Sequence, residues 1–252
     1  MRLREHEGKR IFAEAGIPVP AGRIVRSVGE LGDLSCFGER VVLKAQVDVG
    51  GRGKAGGVVI CPVDEAPGRA AELFGRTIRG LPVTEILVEE YLPIAHEYYC
   101  AVLVDRSTRQ PVVLFTEAGG VEIEETARQD PDRIRRFDVN PLLTELPSFA
   151  VRDLIGRAPK ALGPMVSALY RVFVAKDALL AEINPLVVLD DGRVVAADAK
   201  VIIDDKNGEI VGFWKQVVTD PDNPDAPEQE IYGIGGSWFR LEEEDGTPKI
   251  AW

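Results

Sequence analysis

The glycine-rich segment of residues 50–57 is the first part of this 252-residue sequence whose composition suits a chemical task. Its glycines allow backbone N–H groups to approach an anion without a Cβ in the way, and Arg52 and Lys54 add positive charge. Lys44, at the end of the preceding predicted strand, can reach the same anion as a point charge. The segment is neither a Walker A loop nor a Gly-x-Gly-x-x-Gly turn opening a helix. It predicts a phosphate-binding loop, the alternative being a flexible surface hairpin.

A second candidate site lies in a predicted β-hairpin that turns at residues 191–192, an Asp-Gly pair suited to a two-residue turn. Pairing across that turn places Asn184 opposite Lys200 or Val201, with Asp198 as its diagonal neighbour. An amide oxygen and a carboxylate at that separation can share one hard cation, and Mg²⁺ prefers oxygen ligands. The hairpin therefore predicts a magnesium site.

Glu182 adds a further carboxylate to the first strand of the same hairpin. The alternative interpretation is a surface hairpin with ordinary polar side chains. The placement of Glu182, Asn184 and Asp198 argues against it, because they interrupt strongly apolar strands and unpaired buried charges are costly.

Three other features give weaker signals. The glycines of segment 117–125 follow a predicted strand, but their acidic neighbours repel phosphate unless a cation intervenes, so a purely structural turn is the alternative. Glu89 and Glu97 can accept hydrogen bonds from an adenine amino group or from ribose hydroxyls. Taken alone, each is better interpreted as a solvated strand end.

The elements that position these residues alternate between helices and strands and include several hairpins, which predicts an α+β architecture. A first helix is ended by Gly16, and residues 17–20 are extended because of their prolines. Further helices are predicted over residues 28–37, 66–78, 130–137 and 151–176. Strands are predicted over residues 22–26, 40–45, 84–89, 98–104, 111–115, 179–190 and 193–199.

The composition narrows the class of protein. The chain has 30 Lys and Arg against 41 Asp and Glu, a net charge of −11, which argues against nucleic acid and anionic membranes as partners. Its apolar runs are too short for a membrane span, and its charged N-terminus does not resemble a signal peptide. Three widely spaced cysteines fit neither a disulfide framework nor a zinc site and predict a reducing cytoplasm.

Taken together, these segments resemble the nucleotide-binding part of the succinyl-CoA synthetase (succinate–CoA ligase, ADP-forming) β-subunit family, whose members have the ATP-grasp fold. The matching stretches run in the family order with similar spacing. They are Glu5–Phe12 with Gly16–Pro20, Lys44–Val47 with Gly50–Gly57, Gly119–Glu124, and Glu182–Leu186 with Asp198–Lys200.

The resemblance implies roles for individual residues. By it, the ATP phosphates are held by Lys44, Gly51, Arg52 and Gly53. Glu89 and Glu97 contact the base and ribose, and the backbone contact to adenine lies near Leu92. The metal ligands are Asn184 and Asp198, which bind Mg²⁺. Glu182 faces an incoming phosphohistidine and, with Lys44, forms the catalytic pair.

The resemblance also implies a domain organisation of two α+β subdomains that clasp the nucleotide. Residues 21–92 form a small subdomain with the glycine-rich loop, and residues 1–20 plus 93–215 form the subdomain with the metal site. Residues 216–252, rich in acids and prolines, are interpreted as a linker or tail. The family's C-terminal CoA-ligase domain is expected to be absent.

The activity implied is that of one subunit of an acid–CoA ligase of the tricarboxylic acid cycle. The phosphorylated histidine belongs to a CoA-binding α-type partner, and neither His6 nor His96 lies in a glycine-flanked loop suited to that role. The cofactor is Mg²⁺ and the nucleotide ATP, with GTP as the alternative; the small carboxylic acid and CoA bind through the partner. Other hypotheses are a malate, citrate or acetate ligase, a self-contained carboxylate–amine ligase and a nucleotide sensor.

Overall fold

The computed structural model describes residues 1–47, 49, 51–105, 107–121, 123–204, 214–218, 229–234, 237–244 and 247–251. The chain divides into two compact units, Met1–Asp204 and Asp205–Trp252. All the predicted site residues fall in the first unit, which contains two larger antiparallel sheets.

The first sheet has four strands in the order β1-β6-β2-β3. These strands are β1 (Gly22–Val25), β2 (Arg40–Ala45), β3 (Val58–Pro62) and β6 (Ile86–Glu90). Alternate residues of β2 are buried, so one face of the sheet packs against helix α2 (Ala66–Phe74) while Lys44 projects from the other face. The glycine-rich segment connects β2 to β3, and Gly57 closes it by accepting a hydrogen bond from Ala45 N. A small hairpin of β4 (Thr77–Ile78) and β5 (Leu81–Pro82) follows α2.

The second sheet has six strands in the order β11-β10-β7-β8-β9, with β12 also paired to β10. Its strands are β7 (Ile94–Asp105), β8 (Gln110–Thr116), β9 (Arg135–Asp138), β10 (Ala178–Leu189), β11 (Val194–Ala196) and β12 (Lys200–Ile203). The accompanying helices are α1 (Glu5–Glu14), α3 (Ile123–Gln129), α4 (Ser148–Ile155) and α5 (Leu162–Ala175). A large apolar core lies between this sheet and α1, α4 and α5. The predicted α+β architecture is confirmed.

Helix α1 approaches the second sheet closely. A Cβ on Gly8 would lie 3.2 Å from the Cβ of Ala199, which directly follows Asp198. Leu3 N also donates a hydrogen bond to Val201 O. This packing brings the first turn of α1 next to the residues predicted to bind metal.

The second unit contains a four-stranded antiparallel sheet in the order β13-β14-β15-β16. Its strands are β13 (Trp214–Val218), β14 (Gln229–Ile234), β15 (Ser237–Glu244) and β16 (Thr247–Ala251). From residue 216 onwards, these described residues belong to the segment interpreted as an acidic linker or tail. The domain bounds inferred from the resemblance stay predictions.

Four predicted helices differ from the structure. The helix predicted over residues 66–78 ends at Phe74, and residues 77–78 form β4. Residues 28–37 form two 3₁₀ turns, because Gly32 between them has a φ of +52° and stops the helix. Residues 130–137 form one 3₁₀ turn and then β9, which is held by pairing with β8 rather than by local propensity. The helix predicted over 151–176 is divided into α4 and α5 at Gly156, which has a φ of +55°.

The late hairpin has a different register from the predicted one. Leu189 and Arg193 close a three-residue loop in which Gly192 has a φ of +85°, so the turn is one residue longer than expected. Lys200 therefore lies opposite Glu182, and the prediction that Asn184 faces Lys200 or Val201 is wrong.

Candidate functional site

A cavity of about 780 Å³ lies beside the glycine-rich loop in the first unit. Gly51, Arg52 and Gly53 form part of its wall, and so do Glu182, Asn184 and Asp198. Six of the predicted site residues, from segments far apart in the sequence, therefore surround one space.

The wall of this cavity has the opposite charge to the chain as a whole. Among the residues that the structure describes, the cationic side chains of this wall are Arg2, Arg4, Arg52, Lys54, Arg79 and Lys200. Its described acids are Glu5, Glu182 and Asp198, which leaves three formal positive charges in a chain of net charge −11. A concave surface with this excess attracts anionic ligands.

Arg52 is the link between the loop and the hairpin. Its Nη2 pairs with Glu5 Oε2 and lies 3.2 Å from Asp198 Oδ1, while its Nη1 donates to Ala45 O at 3.1 Å. Only 12% of the side chain is exposed. Burial opposes its charge, but Glu5 and Asp198 raise the pKa of the guanidinium above its usual range. Arg52 is therefore a fixed, fully charged group on the cavity wall.

Lys44 lies behind this wall rather than on it. Its Nζ is 3.0 Å from Glu5 Oε1 and 2.7 Å from Glu89 Oε2, and it donates to Ala197 O at 2.7 Å. Burial opposes the charge of Lys44, but Glu5 and Glu89 raise its pKa. Its charge is compensated by protein carboxylates, and it is not among the residues lining the cavity.

Glu89 is a diagonal neighbour of Lys44 on the same face of the first sheet, because it pairs with Val42 in the β2–β6 ladder. Its side chain is 2% exposed and forms ion pairs with Lys9 and Lys44. The structure thus places the Glu89 carboxylate in a buried ion-pair cluster rather than on the cavity wall.

Leu92 and Glu97 also lie away from the cavity wall. Leu92 is buried in a small apolar cluster with Val187, Leu189 and Val195. Glu97 is exposed, and its backbone oxygen accepts a hydrogen bond from Gly119 N at 3.2 Å. Their predicted contacts with the nucleotide base and ribose stay predictions.

The sequence interpretation missed Glu5 and Lys9. Glu5 is 4% exposed, and its Oε1 lies 2.9 Å from Lys9 Nζ. Burial alone would raise the pKa of the Glu5 carboxyl, but Lys9, Lys44 and Arg52 outweigh it and hold that pKa well below its usual range. The sequence does indicate this ion pair, because Glu5 and Lys9 are four residues apart and therefore lie on one face of a helix.

Asn184 binds the second glycine cluster. Its Oδ1 accepts a hydrogen bond from Gly120 N at 2.9 Å, and its Nδ2 donates to Val121 O at 2.9 Å. A Cβ on Gly119 would lie 2.5 Å from Tyr98 N, so only glycine allows this loop to pack so closely against β7. The cluster is thus a structural turn that also contributes Gly120 and Val121 to the cavity wall.

Asp198 and Glu182 are the acids of the hairpin side. Asp198 Oδ1 accepts a hydrogen bond from Ala199 N at 2.7 Å, and 41% of its side chain is exposed. Partial enclosure and the nearby charge of Glu5 raise the pKa of Asp198 to about 6, although Arg52 acts in the opposite direction. Glu182 accepts a hydrogen bond from Tyr99 Oη at 3.3 Å and lies 3.5 Å from Lys200 Nζ.

The donor set on the hairpin side fits a magnesium ion. Among the described residues, no group of three or more His, Cys, Asp or Glu side chains could enclose a metal. Asn184 and Asp198 offer two oxygen ligands on the wall of one cavity. Mg²⁺ keeps several waters and is commonly held by one or two protein oxygens plus phosphates, so this sparse set is sufficient.

The sequence matches the ATP-grasp domain family over residues 2–188, about three quarters of the chain. The chain therefore belongs to the ATP-grasp family, and the predicted ATP-grasp fold is confirmed.

Within that family, the resemblance to succinate–CoA ligase β subunits is confirmed. The chain is 43% identical over 212 residues to the GDP-forming β subunit of Thermus thermophilus, covering 81% of this chain and 56% of that protein. It is 42% identical over 220 residues to the ADP-forming β subunit of Syntrophotalea carbinolica, with the same two coverages. The chain thus spans about half the length of these relatives.

A solved structure shares the fold. A dinucleotide-forming acetyl-coenzyme A synthetase from Ca. Korarchaeum cryptofilum, in complex with coenzyme A, superposes with a TM-score of 0.65 at 24% identity, covering 81% of this chain and 93% of the other.

In the part of the chain that the structure describes, no helix is long and apolar enough to cross a membrane.

Proposed function

We propose that this chain is the ATP-grasp subunit of an acid–CoA ligase, with succinate as the acid. It binds Mg·ATP and transfers the γ-phosphoryl group to a histidine of an α-type partner subunit, which drives reversible acyl-CoA formation with release of ADP. The observation that supports this most strongly is the shared cavity with the glycine-rich loop and Arg52 on one side and Glu182, Asn184 and Asp198 on the other.

The charges of the cavity suit a triphosphate with its metal. Arg52 pairs with Asp198, and a phosphate next to Asp198 would be repelled by that carboxylate. Asn184 and Asp198 would hold Mg²⁺, which supplies the charge neutralisation that phosphoryl transfer needs. Arg52 then orients the phosphates through a two-pronged hydrogen-bonding group.

The other residues act by position. Lys44 stands directly behind the loop and adds positive potential from a buried site. Glu182 faces the cavity with 14% of its side chain exposed, where it can accept a hydrogen bond from the imidazole of an incoming histidine. Phosphoryl transfer needs little covalent chemistry from the protein, so positioning and electrostatics account for its contribution.

The remaining substrates are proposed to bind to the partner subunit. The relatives are named as β subunits, which supports an α-type partner that binds CoA and the small carboxylic acid. Their names include both ADP-forming and GDP-forming enzymes, so we propose ATP as the nucleotide with GTP as the alternative. The proposed location is the cytoplasm.

The test is transfer of label from [γ-³²P]ATP with this chain alone, with an α-type subunit alone and with both. The proposal predicts acid-labile label on a histidine of the α-type subunit only when both proteins and Mg²⁺ are present. Label on this chain alone would overturn the need for a partner. ADP release that depends on an amine acceptor, in place of CoA, would instead support a self-contained carboxylate–amine ligase.

A further inference from the structure

One carboxylate at the start of α1 contacts three cations at once. Glu5 Oε1 lies 2.9 Å from Lys9 Nζ and 3.0 Å from Lys44 Nζ, and Glu5 Oε2 pairs with Arg52. The cations come from α1, from β2 and from the glycine-rich loop. Glu5 therefore connects the first helix to both elements that present positive charge near the cavity.

The other two acids of this cluster reach only part of it. Glu89 pairs with Lys9 and Lys44, and Asp198 pairs with Arg52. Among the described acids, Glu5 is the one that forms ion pairs with all three cations, so it joins the loop arginine to the buried lysines. The burial of this cluster is unusual among the ion pairs of the described residues. The side chains of Arg69 and Glu65, for example, form a pair that is half exposed.

We propose that Glu5 is a positioning residue for the nucleotide: it holds Arg52 in the orientation that receives the phosphates. This inference rests on the proposed function, because it assumes that the cavity binds Mg·ATP. Arg52 needs a group that holds it in one orientation, because it is a long, flexible side chain on a glycine-rich loop. Two contacts outside the hairpin, Glu5 Oε2 and Ala45 O, fix its guanidinium group.

Whether Glu5→Gln weakens or tightens binding of Mg·ATP distinguishes a positioning role from a purely electrostatic one. Glu5→Gln removes a negative charge next to a site for an anion. If only net charge mattered, the substitution would tighten binding of Mg·ATP. If Glu5 positions Arg52, the same substitution weakens binding although the site becomes more positive.

The experiment is calorimetric titration of Mg·ATP into the chain and its variants, with circular dichroism and thermal melting to establish folding. We expect Glu5→Gln to weaken binding about tenfold, the size typical of coupled groups in contact. The matched control is Asp105→Asn, which removes another carboxylate paired with an arginine, 2.5 Å from Arg136 and outside the cavity. This control is expected to bind like the unmodified chain. Unchanged or tighter binding by a folded Glu5→Gln would overturn the inference.

A double-mutant cycle with Arg52→Gln separates positioning from a general structural role. We expect Glu5→Gln to weaken binding by less than about threefold when Arg52 is already absent, because the group it orients is gone. Equal losses in both backgrounds would overturn the inference.

Two further measurements address a variant that fails to fold and a chain that fails to bind. Where Glu5→Gln does not fold, Glu5→Asp keeps the charge but is one methylene too short to reach all three cations. It is expected to bind about threefold more weakly than the unmodified chain, and unchanged affinity would overturn the inference. Absence of binding by the unmodified chain would overturn the proposed function itself.

Discussion

Arg52 offers the sharpest test of the phosphate-binding side of the cavity. Replacement by glutamine keeps a polar, although shorter, side chain and removes the charge and the two-pronged donor group. In the structure Arg52 is one of three cations in the buried ion-pair cluster, and it is the one on the cavity wall beside Asp198.

The expected magnitude follows from two losses. A hydrogen bond between a charged group and phosphate contributes about 1.5–3 kcal/mol, and this is lost directly. Glu5 and Asp198 also each lose a cationic partner, so less positive charge offsets these carboxylates near the phosphates. We expect a total of about 3 kcal/mol, which corresponds to Mg·ATP affinity weaker by about 100-fold.

The assay is calorimetric titration of Mg·ATP into the unmodified chain, Arg52→Gln and Arg52→Lys. The lysine variant keeps the charge without the planar fork, so we expect it to lose about tenfold. Binding by Arg52→Gln within about threefold of the unmodified chain would refute the reasoning, because it would show that the phosphates bind elsewhere.

Three further predictions concern the metal side and the fold. The pKa of Asp198 is raised to about 6, so its carboxylate takes up a proton as the pH falls through 6. Mg·ATP affinity should therefore fall between pH 7 and pH 5. Calorimetry of Asp198→Asn should show this pH dependence removed. Gly119→Ala should lower the unfolding free energy by about 2 kcal/mol in urea titrations, because its Cβ would lie 2.5 Å from Tyr98 N; an unchanged midpoint would contradict the close packing. Leu154→Ala, at a 2%-exposed core position, should cost about 2–5 kcal/mol by the same measurement, whereas the exposed Leu142→Ala should cost little.

Two local patterns in the sequence predicted elements that form the site. Glycines with interspersed cations predicted the β2–β3 loop, and an Asp-Gly pair between apolar runs predicted the late hairpin. The structure brings Arg52 and Asp198 to one cavity, although they are far apart in the sequence. That association came from the family resemblance rather than from any local rule.

The rest depended on contacts between distant segments. Local propensity favoured a helix over residues 130–137, but pairing with β8 makes part of it a strand. The hairpin register changed because Gly192 allows a three-residue loop. The burial of Lys44 and Glu89 follows from where α1 packs, since Glu5 and Lys9 approach them from a different element. The four-residue spacing of Glu5 and Lys9 indicates that pair, but nothing in the sequence connects it to Lys44 or Glu89.

The most direct test of the central claim is a crystal structure of the chain with Mg²⁺ and a non-hydrolysable ATP analogue. The account predicts a triphosphate in the 780 Å³ cavity, with Arg52 on its phosphate oxygens and the ion bound by Asn184 Oδ1 and the Asp198 carboxylate. A nucleotide bound at another surface, or a metal ion that contacts neither Asn184 nor Asp198, would contradict it.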